Sequence, residues 1–195
     1  MKLRKLRSAE ITTIYQERLV HDFIKDELKK LPVILKAVDD GIYECLGLFD
    51  DSEIIGYTFL VKQGMSFLVD YLAVCPKYRN KGLGSEIIGL LREYMSGAGL
   101  IILEVEDPTY TKERDLKELQ TRRIGFYERN GCIDTGLSKK RLKLRRNLSL
   151  FFLFLARICS SIVYHAYFLG NPQYKQCCHN SNCCFKTEKA YYYCK

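Results

Sequence analysis

The chain opens on alternation. Met1-Lys-Leu-Arg-Lys-Leu6 puts an apolar side chain at nearly every second position, which predicts a strand. Ser8 then stands where a helix cap belongs, ahead of Ile11, Ile14, Tyr15 and Leu19. A second helix is expected over residues 26–38, ending at Asp39-Asp40-Gly41. From Tyr43 the pattern is that of strands. Residues 43–49 and 54–61 flank an Asp50-Asp51-Ser52 turn, and an apolar run from Met65 to Val74 follows Gly64. Leu83, Ile87, Ile88, Leu91 and Tyr94 recur at three- and four-residue steps and predict an amphipathic helix. After a turn at Gly97 to Gly99, residues 100–106 read as a strand that Asp107-Pro108 ends. A charged helix over 112–129 stops at Asn130-Gly131, a good left-handed C-cap, and residues 133–137 can start another strand.

This order limits the topology. Three consecutive strands up to Val74 form a meander. The strands at 65–74 and 100–106, joined through a helix, form a crossover that should be parallel and right-handed. The expected class is α/β: a mixed, mostly antiparallel sheet with one parallel strand pair, flanked by helices.

Between strand and helix lies Arg79-Asn80-Lys81-Gly82-Leu83-Gly84-Ser85. A strand, a basic glycine loop and a helix N-terminus together suit phosphate. Glycines let the backbone come close, successive N–H groups converge, and the helix end adds partial positive charge. No Gly-Lys-Ser/Thr follows four spacers, so this is not a Walker loop. Ile87 stands where the dinucleotide fingerprint needs its third glycine.

The loop resembles the acetyl-CoA pyrophosphate loop of the GNAT superfamily of N-acetyltransferases, Arg/Gln-x-x-Gly-x-Gly/Ala. His21-Asp-Phe-Ile-Lys-Asp-Glu-Leu-Lys, Tyr43-Glu-Cys-Leu-Gly-Leu and Arg122-Arg-Ile-Gly-Phe-Tyr-Glu-Arg-Asn-Gly131 extend the likeness to a bacterial branch of unassigned substrate, over residues 1–134. The resemblance implies that Arg79, Asn80, Lys81, Gly82, Leu83, Gly84 and Ser85 hold the pyrophosphate of acetyl-CoA. It implies that Leu72, Ala73 and Val74 line the pantetheine and polarise the thioester carbonyl. The strands bearing these residues and 100–106 are then expected to splay, with the cosubstrate entering the gap. Tyr127, in the family's Phe-Tyr-x-x-x-Gly motif, is implied to protonate the departing thiolate.

Read from the residues alone, Tyr127 also suits an apolar stripe with Leu116, Leu119 and Ile124. Glu104 and Glu106 lie two apart on a strand, so they share a face at the end where open α/β sheets place ligands. They are candidate bases, or a solvated strand end. Asp70 is a third acid, within an apolar strand, where it needs a partner. A lysine amine, pKa about 10.4, costs roughly 4–5 kcal/mol to deprotonate at neutral pH; an α-amine near 8 costs about 1. His21 reads as a surface residue, and Cys75 and Cys132 as small buried ones.

Charge divides the chain. Residues 1–134 hold 20 Lys and Arg against 22 Asp and Glu, whereas residues 135–195 hold 11 against the single acid Glu188. Six of nine cysteines also lie in the second part. The formal charge of +8 therefore belongs to the tail and says little about the domain. We expect a domain over 1–137 and a separate basic, apolar and cysteine-rich tail over 138–195. Met1 opens a charged segment without the apolar core of a signal peptide, and three scattered cysteines fit a reducing cytoplasm.

In the tail, residues 148–169 form an apolar stretch long enough to cross a bilayer behind a basic run, but Arg157 near its centre opposes that. The cysteine and histidine cluster at 177–184 lacks C-x-x-C pairs, so no zinc site is expected. No nucleic-acid motif accompanies the basic run. Such an abrupt change of composition is what a shifted reading frame produces. The family sheet ends in two further strands, of which 133–137 supplies one and 148–156 is a candidate for the other. The expected activity is acetyl-CoA-dependent transfer to an unidentified primary amine. The alternatives are a non-catalytic acyl-CoA-binding module and a membrane-tethered binding protein.

Overall fold

In the computed structural model, which describes residues 1–138 and 189–194, the first strand, β1 (Lys2–Lys5), leads into helix α1 (Ser8–Ile14). Arg7 rather than Ser8 is its N-cap, because the Glu10 carboxylate accepts the Arg7 backbone N–H at 2.8 Å. Glu10 also pairs with the Arg4 guanidinium at 2.8 Å, tying helix to strand.

A π-helical turn, Tyr15–Leu19, comes next, and α2 (Val20–Asp22) completes the run. Its cause is visible in the sequence. On an uninterrupted α-helix Leu19 would lie about 80° from Ile11. One inserted residue rotates the rest of the helix by about 100° and returns Leu19 to the Ile11–Ile14 face. All three side chains are buried.

The second expected helix is shorter than its pattern. A 3₁₀ turn occupies Lys25–Glu27, and α3 runs Leu31–Asp39. Pro32 sets that start, since a residue without an N–H belongs in a first turn.

Strands β2 (Tyr43–Asp50), β3 (Glu53–Gln63) and β4 (Ser66–Val74) form the expected antiparallel meander, with β1 on the outer edge of β2. Gly64, at φ +59°, makes the β3–β4 turn. Helix α4 (Leu83–Tyr94) crosses to β5 (Leu100–Glu106), which pairs parallel with β4. Helix α5 covers Arg114–Arg129, β6 Cys132–Ser138 and β7 Lys189–Cys194. The strand order is β1-β2-β3-β4-β5-β7-β6. The segment 148–156, expected to supply a strand beside β6, lies outside the described residues, as do the apolar stretch 148–169 and the cysteine cluster at 177–184.

The chain divides into two units. The first holds Met1–Leu103, Asn130–Cys132 and Tyr193–Lys195; the second holds Glu104–Arg129 and Ile133–Tyr192. In the first, alternate residues of β3 serve opposite faces. Tyr57 and Phe59, both fully buried, join Tyr43, Tyr71 and Phe23 in aromatic contacts, edge-on except for the tilted Tyr57–Phe59 pair. Each such side chain contributes about 1.5–3 kcal/mol of burial. On the other face Gly56 lets α4 approach: a Cβ there would meet Ile87 Cδ1 at 2.6 Å and the Ala73 carbonyl at 3.1 Å.

Candidate functional site

Strand β4 changes partners along its length. Residues Ser66 to Val69 pair with Leu100 to Leu103 of β5, and that ladder then ends. Tyr71 to Val74 stay paired with β3. The β5-facing edge of Leu72, Ala73 and Val74 is thus outside the β4–β5 ladder, and all three residues are half-buried. Backbone N–H and C=O groups on such an edge can bind an extended ligand as a strand would.

The chain then turns at Pro76–Tyr78 and enters the basic loop. Asn80, at φ +63°, and Gly82, at φ +79°, are both left-handed. Gly82 is the N-cap of α4, and a Cβ on it would meet nothing within 4 Å, so the space beside it is open. Open space, left-handed turns and the first N–H groups of a twelve-residue helix make an anion cradle. Its cations differ in their commitments. Lys77 pairs with Glu53 at 3.1 Å. The Lys81 ammonium sits 5.6 Å from the centroid of the Tyr78 ring.

Arg79 is held on two sides. Its Nε donates to the Val74 carbonyl at 3.0 Å, and its Nη2 donates to Asp22 Oδ1 at 2.5 Å. The other Asp22 oxygen accepts the Tyr57 hydroxyl at 2.8 Å. Burial and the Asp22 charge push the Tyr57 phenol far above its ordinary value.

Two residues before Leu72, a bulge interrupts the β3–β4 register between Phe59 and Leu60, leaving Asp70 as the extra residue. Bulges re-aim side chains. Here Asp70 meets Lys29, whose Nζ donates to both carboxylate oxygens at 2.8 and 2.6 Å, and the Tyr43 hydroxyl also donates to it. The Tyr71 hydroxyl donates to the Glu27 carbonyl at 2.7 Å and accepts the Lys29 backbone N–H at 3.0 Å. The acid that needed a partner has two. As a base it would first have to release Lys29.

In the second unit, Glu104 and Glu106 share a face of β5, and both are half-buried. Glu106 Oε2 accepts from Arg123 Nη1 at 2.5 Å. Tyr127 on α5 is buried at 9% exposure and packs edge-on against Phe126, with centroids 5.2 Å apart. Burial raises its phenol to about 12; the Arg123 charge opposes that rise and the Glu106 charge adds to it. The stripe expected around Tyr127 is not apolar. Leu116 and Leu119 are exposed, and the buried neighbour is Gln120, whose Oε1 accepts the Thr111 hydroxyl at 2.7 Å. The period placed the face wrongly because a polar residue with a satisfied amide occupies it.

The loop residues and Leu72 to Val74 lie consecutively in one unit. Asp22, Lys29, Tyr43 and Tyr57 escaped the reading of the sequence. Asp22 had a weak signal, an acid eleven residues after Ile11 on a helix of mostly polar surface; Lys29 had none. His21 is exposed, and Cys75 and Cys132 are buried. Among the described residues there is no cluster that could hold a metal ion, and no helix long and apolar enough to cross a membrane.

A family model described as an acetyltransferase (GNAT) domain matches residues 41–131. A solved protein assigned to the GNAT acetyltransferases, from Bacteroides thetaiotaomicron, is 27% identical, with 68% of this chain and 72% of that one covered and a TM-score of 0.57. A spermidine N-acetyltransferase chimera of the Vibrio cholerae and hSSAT proteins is 13% identical, with 100% and 95% covered and a TM-score of 0.58. A ribosomal-protein alanine N-acetyltransferase from Escherichia coli is 13% identical, with 99% and 92% covered and a TM-score of 0.54. The last two likenesses are of fold alone. No curated protein matches the chain.

Proposed function

We propose that this chain, which matches a GNAT acetyltransferase domain model over residues 41–131, moves an acetyl group from acetyl-CoA to a primary amine. The supporting observation is the run of unladdered β4 edge, left-handed loop and helix N-terminus from Leu72 to Ser85. The thioester end of the cosubstrate lies along Leu72, Ala73 and Val74, and a backbone N–H there polarises its carbonyl as the amine attacks. The pyrophosphate meets the backbone of Arg79, Asn80, Lys81, Gly82, Leu83, Gly84 and Ser85. Attack on the carbonyl carbon forms the C–N bond and expels the CoA thiolate. Tyr127, protonated at neutral pH, supplies its proton.

For the base we propose Glu104 or Glu106, which share a face of β5. Glu106 can accept an amine proton only by giving up part of its bond to Arg123. With Asp70 tied to Lys29 as well, an acceptor of low pKa, an α-amine rather than a lysine side chain, is the easier substrate. We assign these roles to a domain over 1–137, and a cytoplasmic location goes with them.

Calorimetric titration with CoA, followed by thiol release across an amine panel, tests the proposal. Gly84→Val should abolish CoA binding and leave the fold intact, because a β-branched side chain fills the approach to the helix N-terminus. Undiminished affinity in folded Gly84→Val would overturn the loop assignment. Binding without turnover on any amine would point to a non-catalytic acyl-CoA-binding module.

A further inference from the structure

We infer that Asp22 is a positioning residue of the cofactor loop, acting through Arg79, and that the Arg79 side chain braces the loop instead of meeting the ligand. This rests on the reading of Arg79–Ser85 as the pyrophosphate loop.

The first support is geometric. One guanidinium joins the Val74 carbonyl, at the end of the cosubstrate strand, to a carboxylate at the end of α2. The Asp22 side chain is only 9% exposed, and its second oxygen is taken by Tyr57, so it is pinned from the core. A guanidinium so placed has its charge offset by Asp22. The exposed Lys81 is left to face a phosphate.

The second support is conformational. Asn80, next to Arg79, is left-handed without being glycine. Asparagine visits this region more readily than most residues, yet it still carries a cost that fixed neighbours offset. The doubly bonded Arg79 provides that constraint on one side, and the N-cap Gly82 provides it on the other.

The third comes from the first helix. Without the π turn, Asp22 would lie about 20° from Ile11 on the buried apolar face. The inserted residue shifts it by about 100°, to within about 20° of Ile14. At that angle it reaches Tyr57 and Arg79. An ion pair with one half-exposed partner contributes little net stability, so the arrangement is better explained by what it orders.

The test is CoA titration of the full chain and of Asp22→Asn, Arg79→Gln, Arg79→Lys and the Asp22→Asn/Arg79→Gln double variant. Asp22→Asn should weaken CoA roughly ten- to hundredfold, the scale of one charged hydrogen bond. The double variant should bind no more weakly than the weaker single, since both remove one link. Arg79→Lys should bind as poorly as Arg79→Gln, because lysine keeps the charge and loses the fork. In turnover, the KM for acetyl-CoA should rise while the KM for the amine holds.

Near-normal binding by Arg79→Lys, additive losses, or an unaffected Asp22→Asn would each overturn the inference. Should Asp22→Asn fail to fold, the half-exposed Arg79 variants still decide it. Loss of binding in Gly84→Val together with normal binding in Asp22→Asn would remove this inference alone. A full chain that binds no CoA would remove the loop assignment and this with it.

Discussion

At the residue scale, the acid–base groups are set by what surrounds them. Tyr127 is held neutral chiefly by burial, with its phenol raised from 10.0 to about 12. A group raised on folding stabilises the fold fully below its unfolded value, and that contribution is lost as pH climbs from about 10 towards 12. Tyr127 should thus put no alkaline limb on the rate profile below pH 10, its unfolded value. Tyr127→Phe keeps the ring and removes one hydroxyl. Its melting temperature should stay near that of the parent while kcat falls by about 10²–10⁴-fold, as for a missing general acid. Unchanged kcat would leave the ring as packing alone. Glu10 shows the opposite sign. The Arg4 guanidinium first, then the Arg7 backbone N–H, hold its carboxyl well below the ordinary 4.5. Its contribution is present above that value and lost as pH falls. Thermal unfolding between pH 6 and roughly 2 should therefore show a smaller acid-induced loss in Glu10→Gln than in the parent. Equal losses would mean the pair contributes nothing.

At the element scale, helix α4 and strand β3 are in contact through the absence of a side chain. Gly56→Val puts a Cβ 2.6 Å from Ile87 Cδ1 and 3.1 Å from the Ala73 carbonyl. The Ile87 tip is fully buried and the carbonyl belongs to backbone, so neither yields cheaply. We expect a loss of about 1–3 kcal/mol in urea unfolding, the scale of overpacking. Because α4 begins at the phosphate loop and Ala73 lies on the cosubstrate strand, CoA affinity should fall too. A variant with parental stability would show that α4 can shift freely on the sheet. Most elements were legible at this scale. The limits of β5 agree residue for residue, and Gly131, at φ +73°, ends the second unit's helix where Asn130-Gly131 suggested. Helix starts were less legible. Ser8 looked like a cap, but Glu10 serves Arg7 from across the turn, and Pro32 moved the start of α3 past a 3₁₀ turn.

At the scale of the whole molecule, β7 alters what the tail is for. A chain ending at Leu137 keeps the loop, both glutamates and Tyr127. It loses Lys189–Cys194, the strand between β5 and β6 in the sheet order. Removing an inner strand leaves two unpaired edges, which template association. The truncated chain should scatter more light and melt lower than the full chain. Equal behaviour would mean that β7 adds nothing to the sheet.

What the sequence determined by itself was everything carried by period and local backbone need. The meander, the parallel crossover and the Arg79–Ser85 loop rest on apolar spacing, glycines and a proline, and these act over a few residues. The tertiary structure alone decided which charges meet. Asp22 reaches Arg79 across 57 positions and Lys29 reaches Asp70 across 41. Ion pairs of that separation leave no periodic trace, because any acid can partner any base until the fold brings one pair together and excludes water from it.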